Sequence, residues 1–457
     1  MERILREASA ILRCLDGREP VLYGSFALEK VIGPVFPTHD IDLLVSRNLL
    51  ERPQLVIKGF SEAGFRFVPA EVLSFEKNGV LVELADWTRW NQRCGFHWER
   101  TILENHEDGS YRRLDPTDLD GLYRWLQNDP ERSAEKRVRD QEKTRALRIQ
   151  SLAFKQPQSE LILPWLLEGD PSVRYWTRRH LLGESEKVTD SLHRLISTEG
   201  WAATLLSRQN PDGHWGISFY QPKWTSTHYT LTDLKDLGCD FTCLPCVERV
   251  EWILRELAIQ GGGINCALSK VADDLCVDGM ILAYGSRFVP HHPGLGELAK
   301  HLLSYQKADG GFSWDEKSLT GDPHTTLCVL EGFSAFRKTM STVWNPDFSR
   351  SEDRAIEFIF AHRLFQQEDP RFSRLAFPRR YRYDLLRFLE YYALDERPWD
   401  ERLRPGIEWL KRKQRPDGKW ELDLSHPGKV HMEWEKVHQP SRLITQRALL
   451  VLSRLDQ

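Results

Sequence analysis

No stretch of 18 consecutive apolar residues occurs in this chain of 457 residues, so hydropathy predicts no membrane-spanning helix. Cysteine is sparse: eight thiols in that length cannot form a disulfide scaffold and are expected to be free or to ligate metal. No charge of one sign dominates, with 63 Lys and Arg against 67 Asp and Glu and a net charge of −4. The chain therefore lacks the basic field that holds a nucleic-acid backbone. The opening MERILREASAILRCLDG carries charges throughout instead of an apolar targeting core, and a cytoplasmic protein is expected. Tryptophan, by contrast, is plentiful: 16 large rings must fill cores or line apolar cavities. With 40% hydrophobic and 28% charged residues the composition is that of a folded protein, and the length calls for two or three domains.

The first 150 residues alternate short β-like runs (Val21 to Tyr23, Asp40 to Val45, Phe65 to Val68, Val80 to Leu84) with amphipathic stretches, the pattern of a small α/β or α+β domain. Beyond about Leu161 the β signal fades and helical periodicity takes over. Between the two, PERSAEKRVRDQEKTRALR (Pro130 to Arg148) predicts a solvated linker helix, with Glu135 and Arg139 spaced to pair. The expected division is thus 1–128, a linker over 129–158, and an all-α part over 159–457.

In the first domain, Leu22-Tyr-Gly24-Ser25 and, after fourteen intervening residues, Asp40-Ile-Asp42 form a chemical constellation. A Gly-Ser turn entering a helix offers free amides and a positive helix end to a phosphate. Alternation along a strand sends both aspartates to one face, where they repel unless a hard cation such as magnesium lies between them. Glu83, alone among apolar neighbours in Val80-Leu-Val-Glu-Leu84, is the expected third ligand, with Asp86 as second choice. This set resembles the nucleotidyltransferase superfamily of the DNA polymerase beta type, over roughly residues 1–125. The resemblance implies that Gly24 and Ser25 bind the phosphates of a nucleoside triphosphate, while Asp40, Asp42 and Glu83 hold magnesium and carry catalysis.

The second part repeats itself. Gln209-Asn-Pro-Asp-Gly-His-Trp215, Gln306-Lys-Ala-Asp-Gly-Gly-Phe312 and Gln414-Arg-Pro-Asp-Gly-Lys-Trp420 share one pattern, and weaker copies begin at Gln260 and Gln366. Successive glutamines lie 51, 46, 60 and 48 residues apart, a period that suits helical hairpins. The repeats resemble the (α/α)6 toroid of squalene cyclases and protein prenyltransferase β subunits, although the cyclases' Asp-x-Asp-Asp acid motif is missing. Resemblance to the prenyltransferases implies zinc on Asp274, Cys276 and His324; an alternative alignment places Asp278-Gly-Met280 on the same motif and leaves no zinc site. An apolar substrate cavity lined by Trp215, Tyr229, Tyr284 and Trp314 is expected, for a prenyl or other apolar small molecule. Asp273, Asp274 and Asp278 read as a helix start, and Cys239, Cys243 and Cys246 have iron–sulfur-like spacing broken by Pro245. Phe377 to Asp384 and Lys429 to Arg442 cluster cations with aromatics, fit for an anionic group.

Three functions are consistent with these features. Magnesium-dependent nucleotidyl transfer in the first domain can serve a substrate that the toroid binds or presents. A zinc-dependent prenyl or terpenoid transferase in the toroid, with a regulatory first domain, is the alternative. The third is a non-catalytic ligand-binding scaffold.

Overall fold

The structure, a computed structural model, describes residues 1–153, 161–267, 273–425, 428 and 430–456. Lys429 and the stretch 154–160 at the expected linker boundary lie outside the described residues. The chain divides into two compact units, Met1–Trp165 and Leu166–Gln457.

In the first unit, α1 (Glu2–Asp16) buries Ile4, Leu5, Ala8 and Leu12 along one stripe and ends at left-handed Gly17. Then come β1 (Val21–Tyr23), α2 (Gly24–Ile32), β2 (Asp40–Val45), α3 (Arg47–Leu50), α4 (Pro53–Glu62), β3 (Arg66–Val68), β4 (Leu73–Lys77), β5 (Val80–Asp86), α5 (Trp87–Cys94), β6 (Ile102–Glu104), β7 (Tyr111–Arg113), α6 (Pro116–Leu126) and α7 (Ala134–Ala153). The seven strands form one sheet in the order β3-β4-β5-β2-β1-β7-β6. At its centre β2 runs parallel to β5 and antiparallel to β1. The expected strands are present; β4, β6 and β7 are additional, and at three residues β6 and β7 are too short to show a period of two.

The mixed-charge helix differs from its expected role. Arg139 does pair with Glu135 at 3.1 Å, but α7 also buries Asp140, Ala146, Leu147, Ile149 and Gln150 and packs on α2 and α6 within the first unit. Its charges could be read as solvated because Asp140 is neutralised internally, by Arg132 at 2.5 Å.

After α8 (Ile162–Leu167) at the division, the described residues of the second unit are helical, with isolated bridges as their only β pairing. Its helices are α9 (Pro171–Trp176, running on as a π-helical turn to Leu182), α10 (Glu186–Ile196), α11 (Gly200–Leu206), α12 (Thr227–Leu237), α13 (Leu244–Glu256), α14 (Leu275–Phe288), α15 (Gly294–Ser304), α16 (Pro323–Thr339), α17 (Pro346–Ala361), α18 (Leu385–Leu394), α19 (Arg404–Arg412) and α20 (Arg442–Leu455). From α12 onward, even-numbered helices are buried nearly all round except α16's C-terminal turn, and odd-numbered ones from α13 bury one face.

The repeated motif builds one turn three times. The amides of Asn210, Lys307 and Arg415 donate to the carbonyls of His214, Gly311 and Lys419 at 2.8–2.9 Å. Gly213, Gly310 and Gly418 sit at φ of 80°, 92° and 83°, a region L side chains avoid. Each motif glutamine donates its side-chain amide to that glycine's carbonyl. The aromatic that follows points inward, its own amide donating to a threonine hydroxyl on the next buried helix: Trp215 to Thr227, Phe312 to Thr326, Trp420 to Thr445, at 2.9–3.0 Å. Trp215 and Trp420 also donate their indole N–H to the Leu205 and Leu410 carbonyls at 2.8 Å.

The copy anchored on Gln260 needs a correction in register. Its turn closes from Ile259 to Gly263 at 2.9 Å with Gly262 at φ 102°, so Ala258 holds the glutamine's place and Ile264 the aromatic's. The copy at Gln366 forms no such turn; Asp369 there caps a short 3-10 helix over Pro370–Ser373.

Because Trp420 is fully buried and donates a hydrogen bond from both its backbone and its ring, Trp420→Ala should lower stability by about 3–5 kcal/mol. Trp420→Phe, which loses the ring bond but keeps most of the volume, should cost less. Denaturant unfolding of the full-length protein compares the two.

Candidate active site: an acidic triad beside a glycine-serine turn

The parallel pairing of β2 with β5 sets Asp40 against Leu81 and Asp42 against Glu83. Asp40, Asp42 and Glu83 thereby share a sheet face, and ligand oxygens from all three lie within 4.8 Å of one another, a group that could hold a metal ion. Burial, then the charges of Asp40 and Glu83, push the Asp42 carboxyl up to about 8. Glu83 is raised by burial and by Asp40, with a hydrogen bond from Ser74 and the charge of Lys136 opposing.

Tyr23 ends β1 opposite Asp42, and Gly24 starts α2 at φ 69°. A Cβ on Gly24 would lie 2.1 Å from Asp42 Oδ2, so this backbone can approach the triad only as glycine. Ser25, the next residue, accepts a hydrogen bond from Lys143 Nζ at 2.9 Å. Lys143 comes from α7, lies 4.9 Å over the Tyr123 ring, and has its pKa lowered by burial, with the Arg132 charge adding to the effect. The first turn of α2, a partly buried cation and three carboxylates thus converge on one face of the first unit. Chemically, the carboxylates fit divalent ions, and the helix start with Lys143 fits the phosphate oxygens those ions would bridge. Lys143 carries no signal in the sequence, since it sits in a charge run of the kind that usually faces water.

In the second unit, a cavity of about 380 Å³ is lined by Tyr220, Lys223, Trp314, Arg371, Phe372 and Tyr381 among others. Asp274, Cys276 and His324 all reach its wall. Their donor atoms are nonetheless engaged separately: Asp274 Oδ1 caps α14 through the Cys276 and Val277 amides, Cys276 Sγ lies 3.6 Å from Cys328 Sγ, and His324 Nδ1 accepts from the Tyr383 amide at 2.8 Å. They are not among the groups of the described residues whose ligand atoms come within 4.8 Å. The other such group is Asp273, Asp278 and His301, which could also hold a metal ion.

Of the aromatics expected in a cavity, Trp314 lines it and is 62% exposed. Trp215 belongs to the repeated turn and Tyr284 is fully buried, 3.5 Å from His228. Tyr229 is buried in a cluster with Trp224, Cys276, Met280 and Cys328, against which Tyr220 and Tyr381 pack. From Phe377 to Asp384, Arg379 and Arg380 are consumed in internal ion pairs with Glu390 and Asp233, while Tyr381 and Arg382 face the cavity. Cys243 and Cys246 are 3.4 Å apart at the start of α13. No described helix is long and apolar enough to cross a membrane.

No family model and no curated protein matches this chain.

The raised Asp42 gives a pH signature. A divalent ion binds the ionised carboxylates, so at pH 7 its binding must displace the Asp42 proton, and affinity should climb as pH rises through about 8 and then level off. Magnesium titration in two buffers of different ionisation enthalpy should report about one proton released per ion near neutrality. In Asp42→Asn that release should vanish along with most of the affinity.

Proposed function

We propose that the first unit is a magnesium-dependent nucleotidyltransferase of the DNA polymerase beta type. The observation that carries the reading is the convergence of the Asp40, Asp42 and Glu83 carboxylates on the first turn of a helix that opens Gly24-Ser25. In this reading the carboxylates hold magnesium, which neutralises charge building on the transferring phosphoryl group and favours ionisation of the acceptor hydroxyl. The Gly24-Ser25 turn and Lys143 hold the remaining phosphate oxygens of the triphosphate, Lys143 as a partly buried point charge already aimed at Ser25. Tyr23, partly buried, and Tyr123, fully buried, lie beside Asp42, whose charge raises both hydroxyl pKa values after burial.

For the second unit the same reading is an (α/α)6 toroid. Support comes from the thrice-built turn and from alternation of all-round-buried and one-face-buried helices. Contacts of α12 with α14, α14 with α16 and α18 with α20, the ion pair of Arg387 on α18 with Glu331 on α16, and the contact of α20 with α9 support ring closure. Its cavity, aromatic with Lys223, Arg371 and Arg382 at hand, suits an apolar small molecule bearing an anionic group, which makes that molecule the proposed acceptor or ligand. Carrying both units on one chain raises the effective concentration of acceptor near the nucleotide.

Calorimetry on the full-length protein with magnesium and each nucleoside triphosphate tests the reading. Binding should require magnesium, and Asp40→Asn should abolish it. Lys143→Met should weaken triphosphate affinity by about tenfold, the loss of one charge-assisted contact. Triphosphate binding that is absent in the wild type, or indifferent to Asp40→Asn, would overturn it.

A further inference from the structure

In the three complete repeats the amide of the inward-pointing aromatic donates to a threonine hydroxyl on the following buried helix, and that threonine is Thr227, Thr326 or Thr445. The copy at 258–264 keeps the turn but changes both partners. Ile264 replaces the aromatic, and its amide donates at 3.2 Å to Oδ1 of Asp278 on α14. A carboxylate therefore occupies the place of a hydroxyl, at a position with no exposed surface. A hydroxyl would satisfy Ile264 without the cost of burying a charge, so the fold alone does not ask for aspartate here.

The second oxygen of Asp278 shows what the charge faces. Oδ2 is buried, has no hydrogen-bond partner among the described residues, and lies 3.6 Å from Nε2 of His301 on α15. The same Nε2 lies 2.7 Å from Oδ2 of Asp273. The ring's other nitrogen, Nδ1, lies 3.0 Å from the Gly261 carbonyl. A carbonyl has no proton to offer, so Nδ1 donates to it, and that bond turns Nε2 toward the two carboxylates. Two carboxylates that meet at one imidazole nitrogen call for a proton or a metal cation among them, and the unpartnered Oδ2 of Asp278 leaves a place for the latter. A backbone carbonyl fixing one nitrogen of a histidine so that the other is free to ligate is the usual outer support of a metal site.

The backbone makes room for the same point. A Cβ on Gly263 would sit 2.6 Å from Asp273 Oδ2 and 2.9 Å from His301 Nε2, so the Gly261-Gly-Gly263 run brings bare main chain up to the cluster. We infer that Asp273, Asp278 and His301 form a site for a divalent transition ion of the zinc class, distinct from both the acidic triad of the first unit and the Asp274, Cys276 and His324 set. Imidazole favours such ions over magnesium, which prefers oxygen and its own water shell. Tetrahedral zinc with bonds of about 2.0–2.1 Å places donor atoms about 3.3 Å apart. The separations of 3.6 and 2.7 Å bracket that value, and the shorter one is made by Asp273, the least buried of the three. The ion does for this turn what a buried Trp or Phe does for the others: it pins the turn to the helices behind it, here α14 and α15.

The test uses the full-length protein stripped with chelator and titrated with zinc alone. One zinc per chain should bind, raise the thermal midpoint, and survive in Cys276→Ser and Asp40→Asn. His301→Ala and Asp278→Asn should each weaken it by about a hundredfold or more. Cobalt in place of zinc gives a reading on the wild type that does not depend on a variant folding: visible bands of a nitrogen and oxygen site without thiolate charge-transfer absorption. Absence of tight zinc, zinc kept in His301→Ala but lost in Cys276→Ser, or a thiolate band in the cobalt protein would each overturn the assignment.

Discussion

Burying like charges side by side is the constraint on which both functional readings of this protein depend. A carboxylate withdrawn from water is costly, and two or three together are costlier still, unless protons or cations intervene. In the first unit the register of two parallel strands leaves Asp42 and Glu83 no choice but adjacency, with Asp40 beside them. The consequence is visible in Asp42, whose carboxyl holds its proton up to about pH 8. In the second unit Asp278 lies in the interior beside Asp273, with His301 facing both and the Ile264 amide on the other oxygen of Asp278.

Glycine is the counterpart of these acids. Gly24 and Gly263 are both places where a single Cβ would strike the carboxylate of a candidate metal ligand, at 2.1 and 2.6 Å. At each, bare main chain is brought to a charged cluster, which a larger residue would exclude. Glycines of the repeated turns serve a different purpose, allowing a left-handed conformation so that the following aromatic can turn inward.

The two parts of the chain were legible to different degrees. Asp40, Asp42 and Glu83 could be picked from the sequence because strand alternation is strict and a lone acid in an apolar strand is conspicuous. Lys143 could not, because it stands among surface-like charges and reaches Ser25 only through the packing of α7 on α2. The repeat was visible in three copies through Gln, Asp-Gly and an aromatic. The fourth was displaced by two residues, since its glutamine is not the one the turn uses and only the Ile259 to Gly263 bond reveals the register.

The sequence by itself determined the mixed architecture, a β-containing first part and a helical second, because periods of two and of 3.6 residues are local properties of the chain. It also determined the composition of the acidic strand pair and the spacing of the repeats. Tertiary structure alone decided which distant residues meet. His301 follows Asp273 by 28 residues and Lys143 follows Ser25 by 118. No local pattern encodes those encounters, because they arise from helix packing, where shape and burial choose the partner and chain distance does not enter.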